Sequence, residues 1–340
     1  MQKLLETLCA LPAVSGCEYS AADAAARLLA RHCDVSRDPL GSVIGKRPGN
    51  GPHILLDAHL DQIGMVVTGY EPGGFLHVAK CGAMDIRCLA AQEVMVHGKQ
   101  TVRGFIPASA PHLGNSDKAP DWKDIVIDTG LSEEVCRKII PLGSRARLSA
   151  PPVRLLGERF ASPALDNRAG VASILRCLEL LQGDDLPGND LPTITVLFSV
   201  QEETGGCAGA QAASFSANAG EAIVVDVSFA AAPGISREDA QGELGSGVLV
   251  GIAPTLDHAM SQRLLRTARE HNIPHLPEIM GGASGTNADH IQAPAGIPCA
   301  LLSIPQRSMH TAAEVVDMQD IEATAQLMAA YIMERRSHHA

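Results

Sequence analysis

Apolar and polar positions give the chain three successive textures. Up to about Gly51 it alternates between helix and extended chain. Leu4, Leu5, Leu8 and Leu11 keep helical spacing and predict an amphipathic first helix, and Ser20 to Arg31 is rich in strong helix formers. A Gly-Ser turn at Gly41 follows, and Ile54 to His59 reads as a strand. From about Asp61 to Ala150 the chain breaks into short β segments punctuated by glycine, such as Met65 to Thr68, Glu93 to His97 and Thr101 to Gly104. Helical periodicity survives there only around Ser132 to Ile139. Short strands with turn signals predict a small β-barrel or sandwich, and Pro151-Pro152 marks its end. After Phe160, helix and buried strand alternate again. Val171, Leu175, Leu178 and Leu181 predict a helix over Asp166 to Gln182, and Ile321 to Arg335 predicts a closing amphipathic one. Thr193 to Val200, Ala222 to Val227 and Cys299 to Ile304 are apolar runs of strand length, the pattern of a sheet covered by helices on both faces. The expected architecture is an α/β domain, residues 1–60 and 153–340, carrying a β-rich insertion at 61–152.

Composition narrows the class of partner. At 340 residues the prior is about two domains. With 46% apolar and 19% charged residues the chain can bury a sizeable core. Lys and Arg number 27 against 38 Asp and Glu, a net −11, which argues against nucleic acid and against anionic lipid as partners. Aromatic residues make up 3%, with a single Trp122, too few for stacked-ring carbohydrate platforms. The nine cysteines are scattered and form no Cys-x-x-Cys pair, so neither a disulfide framework nor a Cys-ligated zinc finger is expected. Glu6 interrupts the N-terminal apolar run, and no stretch approaches the ~20 residues of a bilayer span. A cytoplasmic protein with reduced thiols is the expectation, with His338 and His339 in a solvated tail.

The candidate chemistry gathers at strand ends. His59 and Asp61 follow one predicted strand, Glu202 and Glu203 another; Asp226 closes a third and His310 lies beyond a fourth. Asp166 opens a helix, where a carboxylate suits the dipole. Singly, each has an ordinary reading: Asp166 as an N-cap, Asp226 as a turn cap, Glu202-Glu203 as a charged strand end, His310 as a surface or packed histidine. Together they sit where open α/β sheets bind ligands, outside the carboxyl ends of the strands. Two His with Asp and Glu carboxylates and no Cys suit Zn²⁺, Co²⁺ or Mn²⁺. Three ligand carboxylates carry −3 and two divalent ions +4, so with a hydroxide such a site is near neutral, whereas bare carboxylates repel one another. Glu202 then remains beside a ligand, free to accept a proton.

The segments LPAVSGCE, DPLGSVIG, LLDAHLDQIGMVV, GFIPASAPHL, IDTGLS, LDNRAGVASIL, SVQEETGGCAGA, VVDVS, GTNADHI and MHTAAEVVDMQDIEATAQLM run nearly end to end. They resemble the co-catalytic-metal aminopeptidases of metallopeptidase family forty-two, which includes the TET and glutamyl aminopeptidases and the so-called cellulase M group. The resemblance implies one metal on His59, Asp166 and Asp226 and a second on Asp166, Glu203 and His310, zinc or cobalt ahead of manganese. It implies Glu202 as general base to a water shared by the ions, and Asp61 behind His59, fixing its tautomer. The fold implied is a zinc-exopeptidase-like α/β domain interrupted by a PDZ-like β-barrel that dimerises, with dodecamers also formed in the family. Substrates would be short peptides with a free N-terminus. Three positions depart from the family pattern: Asn287 replaces an Asp, Thr311-Ala312 replace Ser-Pro after His310, and Val227 to Pro233 lack the usual polar residues. Asp289 is a candidate to compensate for Asn287, and Arg237 and Arg307 are candidates for an acidic-substrate pocket. Rival readings are a deacylase of the wider co-catalytic-zinc clan, an endoglucanase and a non-catalytic binding protein. His112 is expected in a barrel or dimer contact and Trp122 as a packed anchor.

Overall fold

Four apolar runs become adjacent parallel strands. The structure, a computed structural model, describes residues 1–108, 112, 120–182 and 191–336. In it Pro192–Ser199, Gly51–His59, Glu221–Phe229 and Cys299–Arg307 are consecutive neighbours. Ser199 stands opposite His59, Val224 opposite Asp57 and Asp226 opposite Ser303. They form the middle of a mixed sheet of eleven strands among the described residues. Antiparallel strands close its two sides: Asp34–Arg37 with Val43–Arg47 on one, Glu314–Asp317, Arg159–Ser162 and Val153–Arg154 on the other. Val248–Ile252 and His275–Ile279 branch from the Cys299 strand.

The runs are largely apolar because helices cover both faces, and alternate residues point to opposite sides. Ile54, Leu56, Ala58, Ile223, Val225, Ala300 and Leu302 meet the larger core, shared with helices Gln2–Cys9, Tyr19–Leu29, Leu165–Leu180, His258–Glu270 and Met318–Glu334. Leu55, Leu197, Ala222, Val224 and Leu301 meet a smaller core under helices Ala208–Ala217 and Asn287–Ala295. Along this second face the register turns polar toward the carboxyl ends. Leu55 gives way to Asp57 and His59, Leu197 to Ser199, Val224 to Asp226 and Ser228, and Leu301 to Ser303, all of them buried. Polar groups cannot sit there without partners, and one edge of one face thereby becomes a site.

A separate six-stranded sheet occupies the β-textured stretch. Its strands Thr101–Phe105, Glu93–His97, Arg145–Leu148, Gly64–Tyr70, Leu76–Cys81 and Val126–Ile127 pair antiparallel throughout. Met65, Leu76, Val94, Val96, Ile127 and Ala146 build a core of their own, joined by Cys136 of helix Glu133–Ile139. Trp122 packs against that core, as an anchor should, and His112 is exposed. The GFIPASAPHL segment leaves the described residues after Ala108, and His338 and His339 lie outside them.

Several sequence expectations need correction. Asp226 does not close its strand, which runs on to Phe229, and the Cys299 strand continues past Ile304 to Arg307, where it pairs with Glu314–Asp317. Asp166 is not an N-cap: Ala164 holds that position, and Asp166 and Asn167 keep non-helical dihedrals before the helix proper begins. The helices Ala208–Ala217, His258–Glu270 and Asn287–Ala295 and the strands Val248–Ile252 and His275–Ile279 are additions. Among the described residues no helix is long and apolar enough to cross a membrane. All nine cysteines are free.

Candidate active site

His59 is the last residue of its strand, 2% exposed, and its ring is held from both sides. Its Nε2 lies 3.0 Å from Asp166 Oδ1, 3.7 Å from Asp226 Oδ1 and 4.0 Å from Glu202 Oε2. Its Nδ1 lies 3.2 Å from the Asp61 carbonyl oxygen and 3.4 Å from Asp61 Oδ1. The Asp61 carboxylate has a second task. It accepts the backbone N–H groups of Glu202 at 3.0 Å and Glu203 at 3.1 Å, and the Ser15 hydroxyl at 2.6 Å. One buried carboxylate thus ties the His59 strand end to the loop presenting the two glutamates.

Asp166 joins the halves of the cluster. Its Oδ1 faces His59, and its Oδ2 lies 3.1 Å from His310 Nε2, which is in turn 3.2 Å from Glu203 Oε2. His59, Asp226 and Glu202 therefore gather on one side of Asp166, with His310 and Glu203 on the other. His59, Asp166 and Glu203 offer ligand-type atoms within 4.8 Å of one another. Glu203 Oε1 is buried with no hydrogen-bond partner among the described residues. Two imidazole nitrogens, several carboxylate oxygens and one orphaned carboxylate oxygen form a donor set that fits divalent metal.

The electrostatics fit in the same way. Burial opposes charge on His310, but Asp166 and Glu203 beside it push the imidazole up to about 11. His59 is likewise driven well above its ordinary value, because Asp226, Asp166 and Asp61 outweigh its burial. Despite burial, His310 and His59 hold the Asp166 carboxyl far below the carboxylate range. Burial, with repulsion from Glu203, Asp166 and Asp61 against the pull of His59, pushes Glu202 up to about 7. Asp226 is raised by burial and by Asp166 and Glu202. So many buried carboxylates in one place repel one another and call for positive charge among them.

The loops that carry these groups are strained. Ala164, Gln201, Ser308 and His310 all have positive φ, between 55° and 63°. Such backbone costs about 1–3 kcal/mol per residue and persists only where neighbours fix it. One of those neighbours is Glu314, which the sequence reading overlooked. It is 2% exposed, and its carboxylate accepts the Asp166 N–H and the His310 N–H, each at 3.0 Å. Replacing Glu314 with alanine strands two buried donors, each costing about 1–3 kcal/mol. The expected result is a lower Tm together with metal affinity reduced about 10–100-fold, read by thermal denaturation and metal analysis. Unchanged metal content in a folded Glu314→Ala protein would contradict this role.

Asn287 meets the sheet at Asp57, two residues before His59. Its Nδ2 donates to Asp57 Oδ2 and Ser199 Oγ, both at 2.8 Å. Asp57 is fully buried, and burial pushes it up to about 6. The amide supplies a donor to a buried carboxylate, so the substitution removes no ligand. Asp289 does not compensate at the site: it accepts the N–H groups of Ser284 and Gly285 and shapes their loop. Neither Arg237 nor Arg307 lines the cavity of about 360 Å³ over the cluster. Arg237 is exposed, and Arg307 Nε donates to the Ala231 carbonyl. The cavity wall instead contains Glu278, a second residue the sequence reading missed.

Residues 41–327 match the family model described as M42 glutamyl aminopeptidase. The lysyl aminopeptidase of Pyrococcus furiosus is 31% identical over 98% of this chain and 96% of its own. Among solved structures, aminopeptidase APDkam598 from the archaeon Desulfurococcus kamchatkensis is similar with a TM-score of 0.91 at 30% identity, covering 98% of this chain and 95% of that one. The dodecamer PhTET1-12s is similar with a TM-score of 0.86 at 25% identity, covering 98% of each chain.

Proposed function

This chain belongs to the M42 glutamyl aminopeptidase family and is a hydrolase of the aminopeptidase type, and from that premise we propose that it removes N-terminal residues from short peptides at a two-metal centre. His59, Asp166 and Asp226 would hold one ion and Asp166, Glu203 and His310 the other, zinc or cobalt ahead of manganese. The observation that carries this reading is that both imidazole Nε2 atoms face the two oxygens of a single carboxylate, Asp166. When bound, such a metal pair acidifies water and polarises a carbonyl oxygen.

The chain's own groups do the rest. Glu202 stands at the cavity wall, its side chain 13% exposed, and its carboxylate makes no hydrogen bond among the described residues. It accepts the proton of the attacking water and returns it to the leaving amine. Asp61 keeps the His59 ring and the Glu202–Glu203 loop in register, so the base and the ligands move as one unit. Glu314 does the same for Asp166 and His310. The antiparallel sheet region, 61–152, is read as a PDZ-like insertion through which copies associate. Its separate core supports a self-standing unit, and the dodecameric relative supports assembly.

A peptide digest followed by mass spectrometry tests the activity. Free-N-terminal peptides should shorten one residue at a time, while N-acetylated copies and carboxymethyl-cellulose stay intact. Release of amino acids from acylated substrates alone would favour the deacylase reading, and new reducing ends from the polysaccharide the endoglucanase one.

A further inference from the structure

One carboxylate in the cavity has no part in the proposed reaction. Glu278, on strand His275–Ile279, is 3% exposed yet lines the cavity beside Ser228 and Ser303. Ser228 Oγ donates to its Oε1 at 2.5 Å, and Ser303 Oγ to its Oε2 at 2.6 Å. Two neutral hydroxyls fill about half of a carboxylate's roughly four acceptor positions and bring no positive charge. No Lys or Arg lines the cavity, and its two histidines, His59 and His310, both face Asp166 rather than Glu278. A carboxylate buried without a cation is costly, and a cationic ligand group removes that cost.

The position suits the first side chain of a substrate. Ser303 pairs in register with Asp226 on the neighbouring strand, about 4.8 Å away. Glu278 therefore stands one hydroxyl beyond the strand position next to a proposed metal ligand. Leu301 and Val227 also line the cavity, and an apolar stem ending in a charged head matches such a wall. An acidic side chain would meet Glu278 with no arginine to offset it, since Arg237 and Arg307 stand outside.

We propose that Glu278 selects the N-terminal residue by charge, so that peptides beginning with lysine or arginine are preferred and those beginning with glutamate or aspartate are rejected. This inference rests on the aminopeptidase reading and specifies its substrate class.

The test is kcat/KM of the metal-loaded enzyme on lysyl-, arginyl-, norleucyl- and glutamyl-anilides. Norleucine offers a lysine-like stem without the charge, so the comparison needs no variant. Wild type should favour lysyl over norleucyl by about tenfold or more, with glutamyl slowest. Glu278→Gln should shrink the lysyl-to-norleucyl ratio by about tenfold; a ratio within one preparation is insensitive to the folded fraction. Arg237→Ala, outside the cavity, should leave the ratio unchanged. A wild type indifferent to the charge overturns the proposal. So does a Glu278→Gln protein slowed equally on all four substrates, because Glu278 would then only hold strands together. Silence of the metal-loaded wild type on every anilide and every free peptide would overturn the aminopeptidase reading itself.

Discussion

Glu202→Gln should lower kcat by about 10²–10⁴-fold while metal content stays at the wild-type level. The side chain keeps its size and loses only its capacity to take a proton. His59 Nε2 is 4.0 Å from Glu202 Oε2 but 3.0 Å from Asp166 Oδ1, so the ligand cluster does not depend on Glu202. Its buried position and acidic neighbours raise its affinity for a proton, as a group that receives and returns one requires. Steady-state rates beside elemental analysis check the prediction. Wild-type turnover at full metal occupancy would remove Glu202 from this role, and loss of metal would recast it as a ligand.

Asp166→Ala should have a larger effect, abolishing detectable turnover by emptying both sites. No other carboxylate in the cluster faces both imidazoles: Asp226 approaches His59, and Glu203 approaches His310. Removing Asp166 leaves two buried histidines without their shared partner and separates the two ligand groups. Asp226→Ala offers a contrast, since it strips only the His59 side and should leave the His310–Glu203 side able to hold metal. Metal analysis on the two variants separates the outcomes. Two bound ions in a folded Asp166→Ala protein would show that the halves of the cluster do not depend on their bridge.

Much of this centre is legible in sequence because of how the fold makes it. An apolar strand run that ends in or just before a charged or imidazole residue marks the carboxyl edge of a buried sheet: His59 ends its strand, and Glu202 and His310 each come three residues after theirs. Asp226 differs: it does not end a strand but lies inside one whose face turns polar before the strand ends. Glu314 and Glu278 were invisible for a different reason. Each stands in a short strand, and its importance comes largely from distant groups: the Asp166 N–H for Glu314, beside the nearby His310 N–H, and the Ser228 and Ser303 hydroxyls for Glu278. No local spacing encodes such partners. The helix His258–Glu270 carries both ordinary signals, an Asp257 cap that accepts the Met260 N–H and Met260, Leu264, Leu265 and Ala268 at helical spacing.

Metal titration against activity decides whether two ions per chain run an exopeptidase. The protein is stripped with chelator, zinc or cobalt is added back stepwise, and release from a lysyl-anilide is followed beside bound metal. The expected result is no turnover without metal and a plateau at about two ions per chain. Full activity in the stripped protein, or a plateau at a single ion, would contradict it.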